Sequence, residues 1–151
     1  MIGWLLDTNV VSELAGSRCD PKVAAWAREQ AEDRLFISIL SLGEYDKGIE
    51  NLPLGSPARR RFAAAVAALE TRFAGRVVSL DDAVVRRWGR ISGALQRAAG
   101  RAPPVIDTLI AATAIENDLY LVTRNVRDVR DSGAAIFDPW TDDPAEFPLA
   151  R

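Results

Sequence analysis

A chain of 151 residues that is 48% hydrophobic and 26% charged has the size and composition of one globular domain with a real core, which excludes a disordered or low-complexity protein. Its net charge of −2 excludes a protein that holds nucleic acid simply by being basic. With no histidine and one cysteine, Cys19, the chain has no means of Ser-His-Asp or Cys-His catalysis, a histidine-bound zinc site, a thiolate cluster or an internal disulfide.

Ile2 to Leu6 is a short apolar run of buried-strand length, ending at the polar Asp7-Thr8-Asn9. It lacks a basic flank and reads as a strand rather than an export signal or membrane span. Together with the unpaired cysteine it points to a cytoplasmic protein. Val10 to Ala15 predicts a helical turn or two. Asp20-Pro21 supplies an N-cap and an N1 proline for a helix carrying Val23, Ala24, Trp26 and Ala27. Leu35 to Ser38 is a second strand and Ser41 to Glu50 a helix. Ser56-Pro57 repeats the cap-then-proline signal and opens a long helix through Ala63, Val66, Leu69 and Phe73, closed by Gly75. Arg76 to Ser79 predicts a third strand. Asp81 caps a helix through Val84, Trp88 and Leu95 that stops at Gly100. After the breaker Ala102-Pro103-Pro104 comes a helix from Val105 to Asn117, then strands at Tyr120–Val122 and Ala134–Phe137. Short strands alternating with helices predict βαβ units, and so a mainly parallel sheet of about five strands with helices on both faces.

Three carboxylates interrupt these apolar stretches. Asp7 follows the first strand, where a sheet of this class has its ligand crevice, and can also cap the next helix. Glu44 lies in a helix with Gly43 and Gly48. Each interior glycine costs roughly 1 kcal/mol relative to alanine, so something is expected to approach that helix closely. Asp107 sits in the first turn of the most apolar helix of the chain, a favourable place for negative charge facing the helix dipole. A buried carboxylate needs compensation, and a divalent cation is the usual one. An all-oxygen cluster suits Mg²⁺ or Mn²⁺ and, by the residues alone, points as far as an acidic metal site for phosphoryl hydrolysis. The positive charge is nearly all arginine, grouped at Arg59-Arg60-Arg61, Arg86-Arg87-Arg90 and Arg124-Arg127-Arg130, before an acidic tail. Most such groups are solvated helix faces. The last, beside Asn125 at the end of the fourth strand, is the one placed to meet phosphate.

At these residues the chain resembles the PIN-domain ribonucleases, and among them the VapC and FitB-like toxins of type II toxin–antitoxin systems. The resemblance is carried by Leu5-Leu6-Asp7-Thr8-Asn9-Val10-Val11-Ser12-Glu13, by Gly43-Glu44-Tyr45-Asp46-Lys47-Gly48-Ile49, by the run from Ile106-Asp107-Thr108 to Ala114, by Val122-Thr123-Arg124-Asn125-Val126-Arg127-Asp128, and by the closing Phe137-Asp138-Pro139-Trp140. It implies a three-layer α/β/α sandwich, with a PIN-like nuclease domain over residues 1–140 and an acidic, proline-containing tail over 141–151. It also implies a metal-dependent endoribonuclease that hydrolyses RNA phosphodiesters with water activated by Mg²⁺ or Mn²⁺. Asp7 and Asp107 would be principal ligands and Glu44 a third, binding directly or through water, with Asn125 completing the catalytic set. Asn9 and Thr123 would support Asp7 by hydrogen bonding. The implied partners are RNA, a small VapB-type antitoxin and a second copy of the chain.

Two positions depart from the family pattern. Asn125 stands where an aspartate is frequent, and its uncharged amide would bind a second metal more weakly. Asp128 replaces it only if the loop turns inward. Tyr45-Asp46 occupies positions more often aliphatic and basic. Two rival readings remain. A haloacid-dehalogenase-like phosphatase shares an Asp-x-Asp-x-Thr/Val motif with Asp7 to Val11, but position 9 is Asn and the only lysines are Lys22 and Lys47. A catalytically weak PIN scaffold or partner-binding module would not need Asp7, Glu44 and Asp107 together.

Overall fold

The computed structural model describes residues 1–151. In chain order its elements are β1 (Gly3–Leu6), α1 (Thr8–Ala15), α2 (Pro21–Glu29), β2 (Leu35–Ser38), α3 (Ile39–Glu50), α4 (Pro57–Arg72), β3 (Val77–Val78), α5 (Asp82–Ala99), α6 (Val105–Glu116), β4 (Leu119–Val122), α7 (Val126–Val129) and β5 (Ile136–Phe137). Short 3₁₀ turns lie at Glu32–Arg34 and Pro144–Glu146. The strands form one wholly parallel sheet in the order β3-β2-β1-β4-β5. The chain starts in the middle, winds outward to β3, then returns to the other side of β1. The switch in direction therefore falls between β1 and β4, with Leu6 beside Val122.

Alternation along the buried strands divides the core into two layers. Trp4 and Leu6 of β1 meet Val10, Val11, Trp26, Leu42, Val66 and Phe73, which come from α1, α2, α3, α4 and the segment just after it. Leu5 points the other way, onto Ile110, Ala111 and Ala114 of α6 and Val129 of α7. Helix α6 lies between the sheet and α5, which is why it is apolar around much of its circumference. Trp88 of α5 fixes the pair by donating from Nε1 to Thr108 Oγ1 at 3.0 Å. The result is the expected α/β/α sandwich.

The caps follow the side chains read from sequence. Asp20 accepts from Lys22 N, Ser56 from Arg59 N and Asp81 from Val84 N. Three local details differ. Helix α3 begins at Ile39 rather than Ser41, because Ser38 ends β2 and at once caps the helix by accepting from Leu40 N. The edge strands β3 and β5 are two residues each, since each has a single neighbour to pair with. Helix α7 is a single turn too short to show periodicity. Of the arginine groups, Arg59 is tied to Glu50 and Arg87 to Glu116.

The last residues fold back over the sheet. Phe147 meets Phe137 and Tyr120 edge-to-face, with ring centroids 4.9 and 5.4 Å away. Tyr120 Oη donates to Pro148 O at 3.0 Å and Ala150 N to Met1 O at 2.8 Å.

Gly3 shows how tightly β1 is set. A Cβ there would lie 2.5 Å from the Arg34 carbonyl oxygen and 3.0 Å from Phe36 Cε2. Gly3→Ala should therefore destabilise the fold by about 1–3 kcal/mol, an overpacking cost, read as a lower midpoint in urea unfolding with an unchanged slope.

Candidate functional site

The site lies beyond the carboxyl ends of β1 and β4. Buried apolar strands place the first residue after each at the crevice, and the first residues after β1 and β4 are Asp7 and Thr123. Asp7 N continues the ladder by donating to Val122 O at 2.9 Å. The Asp7 carboxylate has two jobs at once. Its Oδ1 caps α1 by accepting from Thr8 N at 2.7 Å, while Oδ2 accepts from Thr123 Oγ1 at 2.7 Å and Asn9 Nδ2 at 3.1 Å. Thr123 Oγ1 also accepts from Asn125 N at 3.0 Å, which fixes the loop after β4 to the same carboxylate.

Glu44 enters from α3 and is exposed. Its Oε1 accepts from Thr8 Oγ1 at 2.8 Å, and Thr8 Oγ1 lies 2.9 Å from Ser41 Oγ, one turn before Glu44 on the same helix. Thr8 and Ser41 therefore join Glu44 to the Asp7 segment, a role sequence reasoning did not assign. The spacing of Ser41 three residues before Glu44 was the available signal. Gly43 and Gly48 depart from expectation: a Cβ at either would meet nothing within 4 Å. No part of the chain approaches them. They face outward with the exposed Ile39, while Leu42 fills the buried stripe of the helix.

Asp107, half-buried in the first turn of α6, feels the other acids. Burial raises its pKa above the ordinary value of 3.8, and the charges of Asp7, Asp128 and Glu44 raise it further, offset in part by the Asn125 side chain. Asp7 is raised as well, by burial, against the lowering effect of its hydrogen bonds from Thr123, Thr8 and Asn9. The single turn of α7 brings the charge of Asp128 to this neighbourhood, while its side chain lines an open groove with Arg101 and Arg127.

No arginine or lysine forms an ion pair with Asp7, Glu44, Asp107 or Asp128. The charges of Asp7, Asp128 and Glu44 act unfavourably on Asp107, and no ion pair neutralises any of the four. No three of them stand close enough together to cage an ion by themselves. The donor set is all oxygen, and that combination fits Mg²⁺ or Mn²⁺, which keeps several waters and takes one or two carboxylates plus a substrate phosphate.

Residues 4–130 match the family described as the PIN domain. Toxin FitB of Neisseria gonorrhoeae is 28% identical over 91% of this chain and 99% of its own length. A VapC ribonuclease of Sinorhizobium fredii is 29% identical over 90% of this chain and 96% of its own. Among solved structures, FitAB bound to a DNA fragment superposes with a TM-score of 0.81 at 26% identity, covering 95% of this chain and 98% of that one. No helix here is long and apolar enough to cross a membrane.

Proposed function

Because the chain belongs to the PIN-domain family, we propose that it is a metal-dependent endoribonuclease and the toxin of a toxin–antitoxin pair. The observation that carries this reading is the convergence of acids from distant segments on one crevice, none of them neutralised by an ion pair. The similarity to a relative named as a ribonuclease supports RNA as the substrate.

In this reading Asp7 and Asp107 hold Mg²⁺ or Mn²⁺, Glu44 binds it directly or through water, and Asn125 borders the same space. When bound, the ion supplies water activation at neutral pH and charge neutralisation on the phosphodiester. The chain's own residues set the geometry. Asn9 and Thr123 hold Asp7 Oδ2 toward the crevice, while Thr8 N pins Oδ1, so the carboxylate has little rotational freedom. Thr8 Oγ1 orients Glu44 from the same turn. Asn125 adds an amide and no charge, which makes one strongly bound ion the expected stoichiometry.

Two surfaces support the protein partners. Exposed Ile39 and Ile106 border the open glycine face of α3 beside Glu44, a face suited to a second copy that would set two acidic clusters side by side. An apolar trough lined by Ala15, Tyr45, Phe62, Ala65 and Leu69 suits a helix of a small antitoxin. The resemblance of the fold to FitAB supports a two-component complex.

Purified, antitoxin-free protein incubated with a mixed RNA pool tests the reading. Fragments should accumulate with Mg²⁺ or Mn²⁺ and not with EDTA. A protein that never cuts yet captures a small partner would instead be a scaffold.

A further inference from the structure

We infer that Arg124, seated over the Trp140 ring, is the residue that grips the RNA phosphodiester at this site, with Trp140 as its positioning residue; the inference rests on the ribonuclease reading. The Arg124 guanidinium carbon lies 5.1 Å from the centroid of the Trp140 ring. Neither Arg124 nor the neighbouring Arg127 forms an ion pair with the acids of the crevice, and of the two it is Arg124 that rests on an aromatic ring. The Trp140 ring attracts the Arg124 cation, an interaction worth about 0.5–1 kcal/mol at an exposed site.

Both partners are anchored. Arg124 N donates to Asn9 Oδ1 at 3.3 Å, and the same Asn9 donates to Asp7 Oδ2, so the backbone of Arg124 is set by the network that sets the acid. Thr123 N donates to Phe137 O at 3.1 Å, which brings the loop after β4 beside the loop after β5. In that second loop Trp140 N donates to Asp138 Oδ1 at 2.9 Å and Asp138 N to Asp142 Oδ2 at 2.8 Å, while the Trp140 ring packs on the core.

The chemistry follows from the geometry. A guanidinium attracted to a ring rather than to a carboxylate keeps N–H donors available, and these can bind two phosphate oxygens at once. A crevice lined by carboxylates repels a polyanion, and the net charge of −2 offers no general attraction. Arg124, seated over Trp140 at the rim, supplies the local one.

The test uses a fluorescent single-stranded RNA oligonucleotide, its binding followed by anisotropy across a salt series in an Asp107→Asn background that does not cut. Cleavage is measured in parallel with Asp107 intact. Arg124→Ala should weaken binding about tenfold and lower the slope of log affinity against log salt by about 0.7, one phosphate contact on a single strand. In cleavage it should raise KM more than it lowers kcat. Arg124→Lys should keep the slope but recover only part of the affinity. Trp140→Leu should reproduce much of the Arg124→Ala loss and Trp140→Phe should rescue it, which separates positioning from folding because both variants alter the same packing. Unchanged affinity and slope in Arg124→Ala would overturn the inference, as would a Trp140→Phe protein as impaired as Trp140→Leu. A protein that cuts no RNA but still binds it through Arg124 would sink the ribonuclease reading alone.

Discussion

Asp7→Asn should lower RNA cleavage by about 100-fold or more, because the substitution removes charge at the point where a preorganised site has to place it. The amide preserves size, and its oxygen can still accept from only one side. In the native site both carboxylate oxygens are acceptors, Oδ1 for Thr8 N and Oδ2 for Asn9 and Thr123. An asparagine must turn its NH₂ toward either Thr8 N or the Asn9–Thr123 pair, so one set of donors loses its acceptor, at about 1–3 kcal/mol for a buried group. The variant is thus expected to fold with an altered loop after β4, visible as chemical-shift changes at Thr123 and Asn125. Thr123→Val removes one supporting hydrogen bond and leaves the charge, and should cost about 10- to 100-fold. The two are compared as initial rates on one RNA with saturating Mg²⁺. An Asp7→Asn protein as fast as wild type would remove Asp7 from the mechanism.

Asp107→Asn should abolish cleavage to a similar degree while raising the melting temperature of the metal-free protein at neutral pH. The two effects share one cause. Burial and the charges of Asp7, Asp128 and Glu44 hold the Asp107 carboxyl above its ordinary value of 3.8. A folded state with the raised pKa takes up its proton more readily than the unfolded chain. Its relative stability is therefore greatest below 3.8 and declines as pH rises through the raised value. At neutral pH the ionised carboxylate is a net cost, which the amide removes. Melting of wild type and variant in EDTA should converge in acid and separate as pH rises, with the variant higher. Adding Mg²⁺ should reverse the order, since an ion bound at 100 times its Kd stabilises wild type by about 2.7 kcal/mol. A variant that melts below wild type in EDTA at neutral pH would contradict the account of mutually repelling acids.

Much of the site is legible in the sequence, for a local reason. Asp7 stands at the end of an apolar run and Asp107 in the first turn of an apolar helix, and both positions follow from chain neighbours. Glu44 is different. Its helix offers two alternative buried stripes, and only the contact of Thr8 with Glu44 and Ser41 decides which face meets the crevice. The glycines beside it mislead, because the helix cost they signal is not repaid by any contact within the chain. Trp140 shows a similar limit: its motif is visible, but nothing local says that its ring supports Arg124 from another loop.

By itself, the sequence determined the alternation of strands and helices, the caps that start α2, α4 and α5, and the restriction of chemistry to oxygen ligands. These depend on periodicity, on side chains reaching their own backbone, and on which residue types are present at all. Only the tertiary structure decided that β1 and β4 are neighbours, that the charge of Asp128 is felt at Asp107, and that Arg124 rests on the ring of Trp140. Those facts arise between segments that the sheet order brings together, and no local pattern records a contact made across more than a hundred residues.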